Sequence, residues 1–296
     1  MDSKITTQGA SLQLASGRAL SYAVTSPSSG GGEPFLLLAS PLCTTFAVWD
    51  PVVPHLTALG FNVLRYDPPG HGSSGVPSDL SSTTFDSMAQ DVRDLLTHLN
   101  IQKIHTWIGD SLGAATSIVF AAKYPGIVER LFSCCTITSS PINTGTADIF
   151  APRVAAAREA GNLHSGIEET LGRWFHREWL ETHPDEAGRM RKLMRDTTVD
   201  GFETCCAALR SPTFDIRPLA AEAGKNVDSA LLLVGEKDAA LTQVMEELRK
   251  GIETGLRSKN GEAASVEMKV VRGGGHVPFI DGFESFMEHV TPFLGK

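Results

Sequence analysis

The chain has 296 residues, of which 42% are hydrophobic and 20% are charged, close to the averages for soluble globular proteins. This composition excludes collagen, a coiled coil and a largely disordered chain. Lys and Arg number 26 against 34 Asp and Glu, so the formal net charge is −8. Because a net negative charge repels polyanions, we expect no nucleic-acid partner.

The N-terminal segment and the cysteines bear on the cellular compartment. Residues 1–8 lack a basic start followed by an apolar run, and no apolar stretch reaches the roughly 18 residues that a membrane span needs. Five cysteines include the adjacent pairs Cys134-Cys135 and Cys205-Cys206, a spacing typical of neither a disulfide framework nor a zinc site. We therefore expect a soluble, cytoplasmic protein with reduced thiols, no metal and no membrane partner.

Short apolar segments alternate with amphipathic helices along most of the chain. Alternating residues at 11–14 and 19–24 predict a hairpin, and the Gly/Ser-rich residues 26–33 predict a loop. Buried strands are predicted at residues 35–39, 61–66, 103–108, 128–134, 230–234 and 266–271. Helices are predicted at residues 50–59, 85–99, 112–124, 242–256 and 283–294. This alternation predicts an α/β fold with a mostly parallel central sheet and flanking helices.

The alternation stops between residues 141 and 216. The sequence there is mostly helical and charged, with Trp174, Phe175 and Trp179 as isolated large apolar side chains. Such an insertion predicts a helical lid over the carboxyl edge of the sheet. The chain would then consist of an α/β core, residues 1–140 and 217–296, and a lid, residues 141–216.

A candidate nucleophile directly follows the strand predicted at residues 103–108. Residues 109–113 read G-D-S-L-G and match the G-x-S-x-G pattern, with Ser111 at the centre. A helix rich in small residues follows, which is the strand-turn-helix setting that this pattern requires. The glycines leave room for the strained backbone at the serine. The alternative is that Ser111 merely caps the helix.

Activation of a serine hydroxyl needs a base and a carboxylate that orients the base. His276 follows the strand predicted at residues 266–271, and Glu236 and Asp238 follow the strand predicted at residues 230–234. We predict that His276 is the base and that Asp238 is the acid, because Asp238 lies farther along its loop; Glu236 is the second choice. The other eight histidines, including His71, are interpreted as surface or core residues.

Two backbone N–H groups must face the carbonyl oxygen, which becomes negative during acyl transfer. Leu112 directly follows the nucleophile, and Leu42 lies in the loop after the strand predicted at residues 35–39. Pro41 has no N–H to donate. We therefore predict an oxyanion hole formed by Leu42 and Leu112, with a plain connecting turn as the alternative at Leu42.

Further segments carry the pattern of a known family. They are LCTT at 42–45 with VWDP at 48–51, VLRYD at 63–67 with GHGS at 70–73, and RWF at 173–175, GF at 201–202 and CCAAL at 205–209 in the predicted lid. With these segments, residues 35–294 resemble the 3-oxoadipate enol-lactonase family within the α/β-hydrolases. The resemblance implies an α/β-hydrolase fold and esterase-type hydrolysis of a small lactone, with Ser111, Asp238 and His276 as the triad and no cofactor.

The sequence departs from the family pattern near the predicted site. Cys43 and Ala114 stand where the family usually has Gly, Asp110 stands where it has an apolar residue, and the stretch at residues 67–70 lacks the family's Arg. The added negative charge and the lost positive charge would both weaken attraction to the family's carboxylate substrate. A neutral lactone or ester is therefore an alternative. Asp110 could instead lie in a hydrogen-bonded pocket behind the nucleophile.

A substrate pocket is predicted from one polar and several apolar side chains of the resembling segments. Its candidate lining residues are Cys43, Asp110, Trp174, Phe175 and Phe202. Candidates to bind a carboxylate are Arg173, Arg177 and Arg191. The alternative is that the aromatic residues only hold the lid helices together and that the arginines are solvated.

The predicted function is hydrolysis of a small lactone or ester, its only expected partner, through an acyl-enzyme. One alternative keeps an enzyme but changes its task to a tailoring hydrolase or a non-hydrolytic catalyst acting on a neutral compound. The other is a ligand receptor that uses the same pocket and moves its lid to recruit a protein.

Overall fold

The computed structural model describes residues 6–27 and 34–295, so residues 1–5 and most of the predicted loop at 26–33 lie outside the described residues. The strands are β1 (Thr6–Gln13), β2 (Ala19–Ser26), β3 (Phe35–Ala39), β4 (Asn62–Tyr66), β5 (Ile104–Asp110), β6 (Val128–Cys134), β7 (Ser229–Gly235) and β8 (Glu267–Val271). The core helices are α1 (Val53–Ala58), α2 (Phe85–His98), α3 (Leu112–Lys123), α10 (Ala220–Lys225), α11 (Thr242–Asn260), α12 (Pro278–Asp281) and α13 (Phe283–Leu294). Between β6 and β7 lie α4 (Pro141–Thr144), α5 (Ala151–Ala160), α6 (His164–Trp174), α7 (Arg177–Thr182), α8 (Pro184–Arg195) and α9 (Val199–Arg210).

The strands form one sheet in the order β1-β2-β4-β3-β5-β6-β7-β8. The pairs β1–β2 and β2–β4 are antiparallel, and all other neighbours are parallel. The predicted N-terminal hairpin and mostly parallel sheet are therefore confirmed. Because the parallel strands point the same way, the loops after β3, β5, β7 and β8 meet at one edge of the sheet.

Two apolar layers cover the sheet. Successive residues of β3 alternate between them, with Leu37 and Ala39 in one layer and Leu36 and Leu38 in the other. Buried residues of α2, α3, α10 and α11 complete the first layer, and those of α1 and α13 complete the second. Both faces of the strands are thus buried, which explains why the strand sequences are continuously apolar rather than alternating.

The helical insertion is hydrogen-bonded to the core beneath it. The backbone N–H and the hydroxyl of Thr198, at the start of α9, both donate to the carbonyl of Gly70 at 3.1 Å. A Cβ atom on Gly201 would overlap the backbone of Gly70, so α9 and the loop after β4 approach as closely as their backbones allow. In α8, the Arg189 guanidinium donates to the carbonyl of Ala47 at 3.0 Å. The division of the chain at residues 140 and 217 stays a prediction.

In the described ranges, no helix combines the length and the apolar character required to cross a membrane.

Candidate active site

Ser111 occupies a tight turn between β5 and α3. Its backbone φ is 51°, in the left-handed region that residues other than glycine rarely adopt. Its N–H donates to the carbonyl of Cys134 at 2.9 Å. A Cβ atom on Gly109 would lie 2.7 Å from the backbone nitrogen of Ala114, and one on Gly113 would overlap the carbonyl of Ala39. Both glycines are therefore required by packing, and the turn projects the serine from the edge of the sheet.

Ser111, His276 and Asp238 form one chain of hydrogen bonds. The Oγ of Ser111 lies 3.1 Å from Nε2 of His276, and Nδ1 of His276 lies 2.7 Å from Oδ2 of Asp238. The side chains of His276 and Asp238 are 17% and 18% exposed. With Nδ1 protonated, His276 donates to Asp238 and leaves Nε2 free to accept the Ser111 proton. This is the geometry of a general base beside a nucleophile.

Glu236, the second candidate acid, does not contact His276. Its carboxylate accepts the N–H of Gly273 at 2.9 Å and so braces the loop that follows β8. The structure therefore brings Asp238, and not Glu236, to the histidine.

The end of α6 and α12 hold the histidine loop in place. The carbonyl of Trp174, at the end of α6, accepts the N–H of His276 at 2.9 Å. The Trp174 ring centroid lies 5.6 Å from the imidazole centroid, with the two planes at 34°. Asp281 accepts the N–H of Gly275 at 2.8 Å. Burial raises the pKa of Asp281 to about 7.

His71 holds the candidate oxyanion loop. Its Nε2 accepts the N–H of Cys43 at 3.0 Å, and its Nδ1 donates to the carbonyl of Pro69 at 2.9 Å. Complete burial lowers the pKa of His71 to about 4, so the ring stays neutral and Nε2 can accept. Cys43 has a φ of 68°, which explains why the resembling family favours Gly there.

Of the two predicted oxyanion donors, Leu42 lies in the loop after β3 and Leu112 is the first residue of α3. Within the described part of the chain, neither the N–H of Leu42 nor that of Leu112 has a hydrogen-bond partner. The N–H of Leu112 belongs to the first turn of α3, where no helical carbonyl precedes it. Both groups are therefore available to an oxyanion. The role of His71 behind them was missed in the sequence; its signals were its position between two glycines in the loop after β4 and its place in the GHGS segment at residues 70–73.

A cavity of about 700 Å³ opens over Ser111, and His276 and Asp238 also line it. Five of the other residues proposed from the sequence border it, namely Leu42, Cys43, Arg173, Trp174 and Phe202. Burial raises the pKa of the Cys43 thiol to about 12, so this side chain contributes an apolar surface rather than a thiolate. Across residues 6–27 and 34–295, no group of three or more His, Cys, Asp or Glu side chains is placed to hold a metal ion.

Two arginines face the same cavity. Arg153 pairs with Glu169 at 3.1 Å, whereas Arg173 forms no ion pair with any residue that the structure describes. Partial burial and the neighbouring charge of Arg153 lower the pKa of Arg173. Of the arginines proposed as carboxylate ligands, Arg177 and Arg191 are instead paired with Glu181 and Glu168 on the lid surface. Arg153 had no signal in the sequence, because only the packing of α5 against α6 brings it to the cavity.

Asp110 and Phe175 lie outside the cavity lining, which corrects their assignment to the pocket. Asp110 is completely buried behind the nucleophile, and neither carboxyl oxygen has a hydrogen-bond partner among the described residues. Burial, and secondarily the carboxylates of Asp238 and Asp281, raise the pKa of Asp110 well above its usual value and favour its neutral form. Phe175 is buried against Trp179, with ring centroids 4.8 Å apart, so it holds the lid together.

Comparison with known proteins places the chain in a family. The profile of the family described as alpha/beta hydrolase fold matches residues 34–283. 3-Oxoadipate enol-lactonase 1 of Acinetobacter baylyi is 30% identical over 194 residues, which cover 65% of this chain and 68% of that protein. 3-Oxoadipate enol-lactonase 2 of the same species is 28% identical over 186 residues, 63% of this chain and 66% of that protein.

Solved structures agree over nearly the whole chain. The enol-lactonase from Burkholderia xenovorans LB400 superposes with a TM-score of 0.82 at 27% identity, covering 97% of this chain and 100% of that chain. A hydrolase from Pseudomonas aeruginosa PA01 gives a TM-score of 0.82 at 26% identity, with 98% and 99% coverage. The chain therefore belongs to the α/β-hydrolase fold family and is homologous to 3-oxoadipate enol-lactonases.

Proposed function

We propose that this protein is a serine hydrolase that cleaves a carboxylic ester or lactone through an acyl-enzyme. The observation that carries the proposal is the hydrogen-bonded chain from Ser111 through His276 to Asp238 at the base of a 700 Å³ cavity. The enol-lactonases among the relatives support the same reaction class.

The geometry fits a two-step acyl transfer. Ser111 Oγ attacks the carbonyl carbon while His276 Nε2 takes the serine proton, and Asp238 stabilises the imidazolium that forms. The N–H groups of Leu42 and Leu112 donate to the oxyanion. His276 then gives its proton to the leaving oxygen as the ester bond breaks. Water, deprotonated by His276, attacks the acyl-enzyme, and Ser111 recovers its proton as the acid is released.

We further propose that the substrate is an acid, with 3-oxoadipate enol-lactone as the first candidate. Arg173, which has no carboxylate partner in the described residues, faces the cavity beside Arg153, which pairs with Glu169. A substrate carboxylate would supply the missing partner of Arg173 and would also be attracted by Arg153. The sequence argument for a neutral substrate rested partly on Asp110, but that side chain is buried, favoured in its neutral form, and away from the cavity.

The test is a side-by-side measurement of kcat/KM for 3-oxoadipate enol-lactone and for its methyl ester, with Ser111→Ala as the control. Preference for the acid, abolished in Ser111→Ala, supports the proposal. Preference for the methyl ester would instead support a neutral substrate. Absence of turnover of both compounds, together with a Ser111 that does not react with a fluorophosphonate, would contradict the hydrolase and favour the receptor alternative.

Arg173→Met separates charge recognition from the chemical step. Loss of a hydrogen bond to a charged group costs about 1.5–3 kcal/mol, so kcat/KM for the acid should fall roughly tenfold to a hundredfold. The methyl ester should lose much less, since it offers no carboxylate. Arg177→Met is the matched control, because Arg177 is 89% exposed and pairs with Glu181 on the lid surface. An equal loss for both substrates would contradict a carboxylate at Arg173.

A further inference from the structure

The cavity over Ser111 is large for a small lactone. Its volume of about 700 Å³ lies in the range of roughly 300–1,000 Å³ found for pockets that hold drug-sized ligands. A small lactone with one carboxylate would leave much of this space to water. The volume of the cavity is therefore larger than such a substrate requires.

The cavity walls divide into a cationic side and an apolar side. Arg153 of α5 and Arg173 of α6 lie close enough for the charge of one to lower the pKa of the other. The remaining lining includes a group of aliphatic and aromatic side chains from the segment before α5, from α9 and from the start of α11. We call this group the apolar wall; its members are Ile137, Ile149, Phe150, Leu209, Leu241 and Val244.

The lining draws on both layers of the core. Ile137 and Leu209 pack in the layer built on α2, α3 and α11, and Trp174, beside Arg173, belongs to the layer on the other face of the sheet. Phe150 and Leu241 of the apolar wall contact both layers. Ser111 lies at the edge of the sheet between these layers. A substrate bound at Ser111 can therefore extend one part toward the arginines and another toward the apolar wall.

The apolar wall includes a large side chain that is partly exposed to solvent. Ile149 lines the cavity and is 48% exposed to solvent. Covering it with an apolar part of a ligand would release water from both surfaces and stabilise the complex. A purely polar lactone acid offers no such contact.

We infer that the substrate is an amphipathic acid: an ester or lactone with one carboxylate at Arg153 and Arg173 and an alkyl or aryl arm of several carbons against the apolar wall. This inference rests on the proposed hydrolase function and specifies its substrate class. Each methylene that moves from water to this wall raises kcat/KM by up to about fourfold.

The test uses γ-butyrolactones that carry a carboxylate on the β carbon and hydrogen, methyl, propyl, pentyl or heptyl on the γ carbon. We expect kcat/KM to rise with chain length by at least tenfold between the unsubstituted and the pentyl compound. Val244→Trp, which fills part of the apolar wall, should lower the pentyl-to-unsubstituted ratio several-fold. Leu59→Trp, on the surface of the core at a residue that is 46% exposed, is the control and should keep the wild-type ratio.

The outcomes separate this inference from the proposed function. A flat or falling series in the wild type, with measurable turnover, overturns the amphipathic substrate and leaves the hydrolase intact. If none of the γ-butyrolactones is hydrolysed but 3-oxoadipate enol-lactone is, the amphipathic substrate is overturned as well. If no ester is hydrolysed and Ser111 does not react with a fluorophosphonate, the proposed function itself fails. The wild-type series decides the question even if Val244→Trp does not fold.

Discussion

Trp174 contacts the proposed base in two ways. Its carbonyl accepts the His276 N–H, and its ring lies 5.6 Å from the imidazole, within the range in which an aromatic face attracts a cation. In the proposed mechanism the imidazole becomes a cation when it accepts the serine proton. Trp174 would then link the helical insertion to the charge that develops during the reaction.

Trp174→Leu should lower kcat several-fold, because a cation–π contact contributes about 0.5–2 kcal/mol. Trp174→Phe should retain most of the activity, since a phenyl face also attracts a cation. Steady-state kinetics on one ester measure both variants. Trp179→Leu is the control, because Trp179 stacks on Phe175 and His183 rather than on His276. A loss of kcat as large in Trp179→Leu would show that the effect is general damage to the lid.

Asp110 should make the stability of the protein depend on pH. Because its pKa is raised, Asp110 keeps a proton in the folded protein that the unfolded chain releases above about pH 4. The free energy of unfolding therefore falls as pH rises from about 4 until it passes the folded pKa of Asp110. Between these two pKa values, each pH unit costs the wild type about 1.4 kcal/mol relative to Asp110→Asn, which cannot ionise. Urea unfolding of both proteins at pH 5 and pH 8 measures the difference. An equal change with pH in both proteins would show that Asp110 ionises normally.

The sequence predicted the catalytic candidates better than it predicted their surroundings. Ser111, Asp238 and His276 each follow a parallel strand directly, so their order along the chain already brought them to one edge. The position of Arg153 at the cavity depends on how the helices pack, and the burial of Asp110 depends on the direction of its side chain. Neither helix packing nor side-chain direction can be predicted from a single sequence.

Among the elements, α9 and the loop after β4 form a close backbone contact between the helical insertion and the core. Gly201→Ala would place a methyl group into the backbone of Gly70, and such overpacking costs about 1–3 kcal/mol. We expect a lower free energy of unfolding and a rise in KM, because α9 also carries Phe202 and Leu209 at the cavity.

Gly188→Ala is the matched control for Gly201→Ala, because it lies in α8 where an added Cβ atom meets no atom within 4 Å. Alanine has the higher helix propensity, so this variant should be as stable as the wild type or more stable. Chemical denaturation and steady-state kinetics measure both variants. A Gly201→Ala protein with wild-type stability and KM would show that the contact of α9 with Gly70 does not hold the helical insertion on the core.

Strand positions were predictable because buried parallel strands are continuously apolar, and β6 has the predicted bounds, 128–134. Four of the five predicted helices also begin at the predicted residue, at positions 85, 112, 242 and 283. The exception is the helix predicted at residues 50–59, which begins at Val53, after a separate 3₁₀ turn at Phe46–Trp49. Pro54 lies in the first turn of α1, where its missing N–H costs no helical bond.

At the scale of the whole molecule, the parallel sheet explains why loops far apart in sequence build one site. Residues 42, 111, 238 and 276 all follow carboxyl ends of strands that lie side by side in the order β3-β5-β6-β7-β8. The net charge of −8 would by itself repel an acidic substrate, so the two arginines must act locally. The family and a pocket could be predicted from motifs, but the size of the cavity could not, since the packing of the helices between β6 and β7 sets it.

The proposed mechanism requires that Ser111 becomes acylated during turnover. Intact-protein and peptide mass spectrometry after rapid acid quenching, during hydrolysis of an ester substrate, measures this acylation. We expect a mass increase equal to the acyl group on the peptide that contains Ser111, and loss of both the adduct and the hydrolysis in Ser111→Ala. Hydrolysis by Ser111→Ala at the wild-type rate, with no adduct on Ser111 in the wild type, would rule out the serine hydrolase.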